Sequence, residues 1–153
     1  MSISIITICN KKDDNLKKLI EKYIIHVRNF HKLKLIDVSF GKHSADKKKY
    51  SLESEKALTY LKPNSILIAL DEKGELFDSI QFSKKLSFWI DNFPEIFFII
   101  GGPDGLPDIV KTRANNVISL SRLTYPHLLA KVLLTEQIYR ALCIINNHPY
   151  HRI

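Results

Sequence analysis

The chain has 153 residues, 45% of them hydrophobic, and a net charge of +7, which is enough apolar material for one domain with its own core. We do not expect a secreted, disulfide-bonded protein, because the two cysteines lie far apart and the first residues do not resemble a signal peptide. No apolar run reaches the ~18 residues that a membrane-spanning helix needs. We therefore expect one cytoplasmic domain over residues 1–153 with no membrane partner, and its excess of lysine favours a polyanionic partner such as RNA.

The apolar pattern predicts strands and helices in alternation. In chain order it predicts a strand over 3–9, a helix over 14–30, a strand over 33–40, a basic loop over 41–49 and a helix over 51–61 capped by Ser51. A strand over 65–70, a turn over 71–77 at Gly74 and a helix over 79–92 follow. The remaining elements are a strand over 96–100, a helix over 107–114, a strand over 117–120 and a helix over 125–145.

This alternation predicts the α/β class with a parallel sheet. The strand over 96–100 is apolar at every position and is expected in the centre of the sheet. Ligands of parallel sheets bind in the loops after the strands, so loops 71–74, 101–106 and 121–126 should converge. The helix over 125–145 is apolar on more than one face, which predicts that it packs against a second subunit.

Two of these loops have the composition of a ligand site. Residues 101–105 (Gly-Gly-Pro-Asp-Gly) lack both the dinucleotide fingerprint and the Walker lysine, but their glycines let the backbone approach a ligand and present N–H groups to it. Residues 121–126 mix hydroxyl and apolar side chains that suit a purine pocket. An ordinary tight turn and a helix-start loop capped by Thr124 are the structural alternatives.

The chain ends with a cluster of groups suited to proton chemistry. His148, Tyr150, His151 and Arg152 are candidate catalytic residues, because histidine titrates near neutral pH and arginine binds phosphate or a developing oxyanion. The histidines and the distant cysteines lack the spacing of a zinc site, so no metal is expected. The structural alternative is a frayed polar tail.

Residues 99–105, 119–127, 136–141 (Glu-Gln-Ile-Tyr-Arg-Ala) and 148–152, in this order, resemble the RlmH family of SPOUT methyltransferases. The resemblance covers the whole chain. That family methylates N3 of a pseudouridine in bacterial 23S ribosomal RNA. The resemblance implies a homodimer acting on the ribosome, with S-adenosyl-L-methionine as cofactor and a C-terminal trefoil knot, although general topology rules predict no knot.

The resemblance also implies which residues hold the cofactor and where the tail lies. The implied cofactor-binding residues are Leu70, Gly101, Gly102, Ser121, Arg122, Leu123, Thr124, Tyr125 and Pro126. The tail is expected near the transferred methyl group, where a histidine or Tyr150 would accept the proton. Lys131 stands where many relatives have arginine, and Ser54 where glycine is common, which puts details of RNA contact in doubt.

Two other functions remain as alternatives. A catalytically silent, ribosome-associated RNA-binding dimer of the same fold would use the same basic surface. A nucleotide-binding hydrolase is disfavoured, because no catalytic lysine or metal-ligand pair lies near the glycine loop.

Overall fold

The computed structural model describes residues 1–9, 11–39 and 47–152. In these ranges five parallel strands form one sheet in the order β2-β1-β4-β3-β5. They are β1 (Ser2–Ile8), β2 (Lys32–Val38), β3 (Ile66–Leu76), β4 (Glu95–Ile100) and β5 (Asn116–Ser119). The helices are α1 (Asp14–Arg28), α2 (Lys47–Glu55) with a 3₁₀ turn over Lys56–Tyr60, α3 (Ser79–Asn92), α4 (Asp108–Arg113) and α5 (His127–Ile145). The predicted α/β class and the central position of the all-apolar strand are confirmed.

Helices cover both faces of the sheet, which explains why residues 96–100 of β4 are all apolar. Ile96, Phe98 and Ile100 pack into one core with α1, α3 and α5. Phe97 and Ile99 point to the opposite face and pack into a second core with α2 and α4. A strand buried on both faces needs apolar side chains at every residue, as parallel sheets do in general.

The predicted turn over residues 71–77 is wrong, because β3 continues through this polar segment to Leu76. Its pairing with β5 is irregular between Leu70 and Glu75. Gly74 makes this path possible: a Cβ on Gly74 would lie 2.5 Å from the carbonyl carbon of Ile118 in β5. The glycine therefore marks a close approach of two backbones and not a reversal of the chain.

Two helix starts also differ from the prediction. α2 begins at Lys47, so Ser51 is an interior residue of the helix and not its cap, while the other predicted loop residues, 41–46, lie outside the described ranges. α5 begins at His127, with Pro126 as the preceding cap residue, because a proline disfavours the helical conformation of the residue before it, here Tyr125. α1 begins at the predicted Asp14, after Asp13 has capped the N–H groups of Asn15 and Leu16.

Most of the apolar surface of α5 is covered by other helices of the same chain. α5 packs against both α1 and α3, which cover its buried face, including Leu134, Ile138 and Leu142. A second subunit is therefore not needed to cover this face, and the homodimer stays a prediction. The trefoil knot also stays a prediction from the resemblance. None of the helices in the described ranges is long and apolar enough to span a membrane.

Candidate active site

An open cleft with a volume of about 140 Å³ lies at the carboxyl edge of β3, β4 and β5. The predicted convergence of segments 71–74, 101–106 and 121–126 is confirmed, since residues of all three line it, although 71–74 belongs to β3 and is not a loop. The lining residues are Leu70, Asp71, Glu72, Ile100, Gly101, Gly102, Ser119, Leu120, Ser121, Leu123, Thr124, Tyr125, His127 and Ala130.

The glycine loop forms one wall of the cleft and is tightly folded. A Cβ on Gly101 would lie 2.5 Å from the carbonyl carbon of Gly105, whose φ of 75° is in the left-handed region that favours glycine. Gly105 N–H donates to Gly102 O at 3.0 Å. Gly102 N–H donates to the hydroxyl of Tyr50 at 2.9 Å. These two N–H groups are therefore used within the protein and are not presented to a ligand, in contrast to the expectation.

The second loop is held by hydroxyl groups. Ser119 Oγ donates to Ser121 O at 2.8 Å, and Leu123 N–H donates to Ser121 Oγ at 2.9 Å. Thr124 Oγ1 donates to the carboxylate of Glu72 at 2.8 Å. The alternative in which Thr124 caps α5 is wrong, because its hydroxyl is directed to β3. Leu123 lines the cleft with 71% of its surface exposed, which suits an apolar contact with a ligand.

Arg122 anchors the same loop to β3 from outside the cleft. Its guanidinium donates to Gly74 O at 2.9 Å and also to Glu72 O. Neither Arg122 nor Pro126 is among the residues that line the cleft. Seven of the nine predicted cofactor residues line it, and these two adjoin it.

Two carboxylates give the cleft a negative rim. Asp71 and Glu72 follow Leu70 at the point where the buried part of β3 ends. Burial works to raise the pKa of Asp71, but the N–H of Lys73 and the ammonium of Lys111, 3.2 Å away, together lower it below its ordinary value. Asp71 is therefore ionised at neutral pH. The site prediction did not include these carboxylates, although their place after an apolar strand was a signal for them.

His127 lines the cleft at the start of α5 and contacts Cys9 at the end of β1. The Cys9 Sγ lies 2.6 Å from His127 Nε2 and accepts the N–H of Lys11 at 3.1 Å. Burial raises the pKa of Cys9 and lowers that of His127, so both groups are neutral at neutral pH. Within residues 1–9, 11–39 and 47–152, no three His, Cys, Asp or Glu side chains are grouped to hold a metal ion.

The tail is ordered by contacts with the outward side of α5. Tyr150 donates its hydroxyl to Glu136 Oε1 at 3.1 Å, and its ring lies 4.6 Å from the ring of Tyr139. The guanidinium of Arg140 lies 4.8 Å from the centre of the Tyr150 ring and also binds Glu136. Burial and the neighbouring Glu136 raise the pKa of Tyr150 well above its ordinary value. This pKa opposes a role for Tyr150 as proton acceptor.

Two of the other three candidate residues of the tail are more accessible than Tyr150. Arg140 Nη1 lies 3.3 Å from His151 Nδ1, and the N–H of Tyr150 donates to His148 Nδ1 at 3.3 Å. His148 and Arg152 are exposed. None of the four predicted catalytic residues is among those that line the cleft of the same chain.

Lys131 and Ser54, for which the resemblance implied a departure from its pattern, are both buried. Lys131 has a side chain only 6% exposed, and its Nζ lies 2.6 Å from the carboxylate of Asp37. Ser54 is fully buried, and its Oγ donates to the carbonyl of Tyr50 within α2 at 2.7 Å. These contacts give both residues structural roles inside the chain.

Comparison with known proteins agrees with this geometry. A family model described as "Predicted SPOUT methyltransferase" matches residues 1–151. The chain is 37% identical over 153 residues to ribosomal RNA large subunit methyltransferase H of Acholeplasma laidlawii, covering 99% of this chain and 100% of that protein. It is 38% identical over 158 residues to the protein of the same name from Acinetobacter baylyi, with 99% of each covered.

Solved structures share the fold at low identity. A probable methyltransferase from Bordetella pertussis superposes with a TM-score of 0.59 at 14% identity, covering 92% of this chain and 93% of that one. The SpoU methyltransferase AviRb from Streptomyces viridochromogenes, solved in complex with the cofactor AdoMet, gives 0.51 at 11% identity and covers 95% and 61%. The full-length match and the identity to these relatives establish that the chain belongs to the SPOUT methyltransferases, in the family of ribosomal RNA large subunit methyltransferase H.

Proposed function

We propose that this protein is an S-adenosyl-L-methionine-dependent methyltransferase that methylates N3 of a pseudouridine in bacterial 23S ribosomal RNA on the assembled ribosome. The observation that carries the proposal is the convergence of three predicted loops on one cleft in a chain of this family. The names of the relatives support ribosomal RNA of the large subunit as substrate.

The cleft fits the cofactor in chemistry. S-adenosyl-L-methionine supplies an activated methyl group when bound. The carboxylates of Asp71 and Glu72 complement its positive charges, and Leu70, Leu120 and Leu123 offer apolar surface to its adenine. The AdoMet complex of AviRb, which shares the fold, supports this assignment.

The tail would act on the RNA base. N3 of pseudouridine carries an imide proton that must leave when N3 is methylated, so the site needs a proton acceptor. His148 and His151 are the remaining candidates for this proton acceptor, because the raised pKa of Tyr150 keeps its phenol protonated. Arg152 is exposed at the end of the chain and would bind phosphate or the charge that develops on a carbonyl oxygen.

A second subunit would bring the tail to a cleft. The outward side of α5 carries a stripe of half-buried residues at helical spacing, which includes Leu129, Leu133 and Ile144. Glu136 and Arg140 lie in the same stripe and hold the tail. A homodimer formed on this stripe would bury its apolar residues and place one subunit's tail next to the other subunit.

A methyl-transfer assay tests the proposal. Purified protein is incubated with methyl-labelled S-adenosyl-L-methionine and ribosomes that lack the modification, and the label is followed in the separated ribosomal RNAs. We expect label in 23S RNA. Binding of the cofactor without transfer would instead indicate the catalytically silent dimer, and RNA binding without any cofactor binding would indicate a ribosome-associated factor.

A further inference from the structure

Tyr50 contacts the glycine loop on the side away from the cleft. It belongs to α2, which packs on the face of the sheet opposite α5. It lies in the first turn of α2 and is only 7% exposed. Its hydroxyl donates to Gly105 O at 2.7 Å and accepts the N–H of Gly102 at 2.9 Å. One side chain therefore hydrogen-bonds to both ends of the Gly102–Gly105 turn. Gly102 and Gly105 also pair with each other in an isolated antiparallel bridge.

A phenol hydroxyl suits this position, because it has one hydrogen to donate and lone pairs to accept. Burial raises the pKa of Tyr50, so the hydroxyl keeps its proton in neutral and mildly alkaline solution. The Oγ of Ser54 donates to the Tyr50 carbonyl at 2.7 Å and so ties this residue to the next turn of α2. Phenylalanine would fill the same volume but could satisfy neither Gly102 N–H nor Gly105 O.

The front of the same loop faces the cleft, where Gly101 and Gly102 form part of the wall. We propose that Tyr50 is a positioning residue whose hydroxyl holds the glycine loop in the conformation that binds the cofactor. Tyr50 itself is not among the residues that line the cleft. The effect of Tyr50 on cofactor binding rests on the proposed function. Its two hydrogen bonds to Gly102 and Gly105, here called the Tyr50 clamp, do not.

Without the hydroxyl, the loop would populate other conformations. Apparent affinity falls in proportion to the fraction of protein that is competent to bind. We expect Tyr50→Phe to weaken binding of S-adenosylhomocysteine by about tenfold, equivalent to about 1.4 kcal/mol. The KM for S-adenosyl-L-methionine should rise by a similar factor, with kcat at saturation changed by less than about twofold.

Two measurements on the full-length protein test the proposal. Calorimetric titration with S-adenosylhomocysteine gives the affinity, and amide hydrogen exchange by NMR, without cofactor, gives the exchange rate of Gly102. Tyr60→Phe is the matched control, because Tyr60 is a 46% exposed tyrosine in the 3₁₀ turn that follows α2. In Tyr50→Phe the amide of Gly102 should exchange about tenfold faster than in wild type. Tyr60→Phe should match wild type in both measurements.

Unchanged exchange at Gly102 in Tyr50→Phe would overturn the clamp, and so would faster exchange with an unchanged affinity. A loss of kcat and thermal stability with an unchanged KM would mean that Tyr50 supports the fold generally. If the wild-type protein bound no cofactor, the proposed function would fail, but the exchange rate of Gly102 would still decide whether Tyr50 holds the loop.

Discussion

Gly101 is the position in the cleft where the smallest change in sequence should have the largest effect on cofactor binding. A Cβ at this position would lie 2.5 Å from Gly105 C, 2.6 Å from Leu106 N and 2.7 Å from Gly105 O. Carbon contacts are ordinarily ~3.5–4.0 Å, so Gly101→Ala forces the opposite side of the loop to retreat by about 1 Å. All three atoms belong to the backbone, so no side chain can rotate away to relieve the contact.

Overpacking of this kind costs about 1–3 kcal/mol. If the displaced loop no longer fits the cofactor, the same free energy reduces the competent fraction and raises the apparent Kd by about 5- to 150-fold. Calorimetric titration with S-adenosylhomocysteine measures this change, and thermal unfolding shows that the sheet remains folded. We expect Gly101→Ala to lose affinity while retaining its fold.

Gly105→Asn is the matched control for Gly101→Ala. A Cβ on Gly105 would meet nothing within 4 Å, although its φ of 75° strains any side chain, and asparagine tolerates a positive φ better than most residues. We expect this variant, which carries the strain of a positive φ but no backbone clash, to lose less affinity than Gly101→Ala. A Kd for Gly101→Ala within twofold of the wild-type value would refute the claim that the loop wall contacts the cofactor.

Three further predictions concern the tail and α5. Arg152→Ala should leave the Kd of the cofactor near normal but lower the single-turnover rate on saturating ribosomes by ~10²-fold or more, since a donor that stabilises developing charge contributes ~10²–10³-fold; a wild-type rate would contradict a catalytic tail. Glu136→Gln should lower the pKa of Tyr150 toward its ordinary value, because it removes the charge that opposes the phenolate; ultraviolet titration showing no change would contradict this contact. Asp37→Asn should lower the free energy of unfolding by about 1–2 kcal/mol, because it leaves the buried Lys131 ammonium without its charged partner; an unchanged denaturation midpoint would contradict it.

Elements whose burial follows from their own stretch of sequence were predicted correctly. β4 was identified as central because an unbroken apolar run needs cover on both faces. The convergence of the three loops followed from the parallel order of the strands. The continuation of β3 was missed, because residues 71–75 are polar and glycine-containing like a turn, and only the distant backbone of Ile118 decides their path.

The contacts that organise the site are harder to predict, because they join residues far apart in the chain. Glu136 and Arg140 form a pair at i and i+4 that helical spacing could have indicated. The clamp of Tyr50 on Gly102 joins residues 52 positions apart and has no local signal. Leu123 illustrates a different difficulty. An exposed leucine in a loop indicates a ligand contact only when the cleft beside it is known.

The most direct test of the account is to map the methyl group in the product. Ribosomes that lack the modification are incubated with the protein and methyl-labelled S-adenosyl-L-methionine, and the 23S RNA is digested and analysed by mass spectrometry. A parallel reaction uses ribosomes that contain uridine in place of pseudouridine at the target. We predict one labelled nucleoside, N3-methylpseudouridine, in the first reaction and a greatly reduced yield in the second. Label on another base, or on a pseudouridine atom other than N3, would contradict the account.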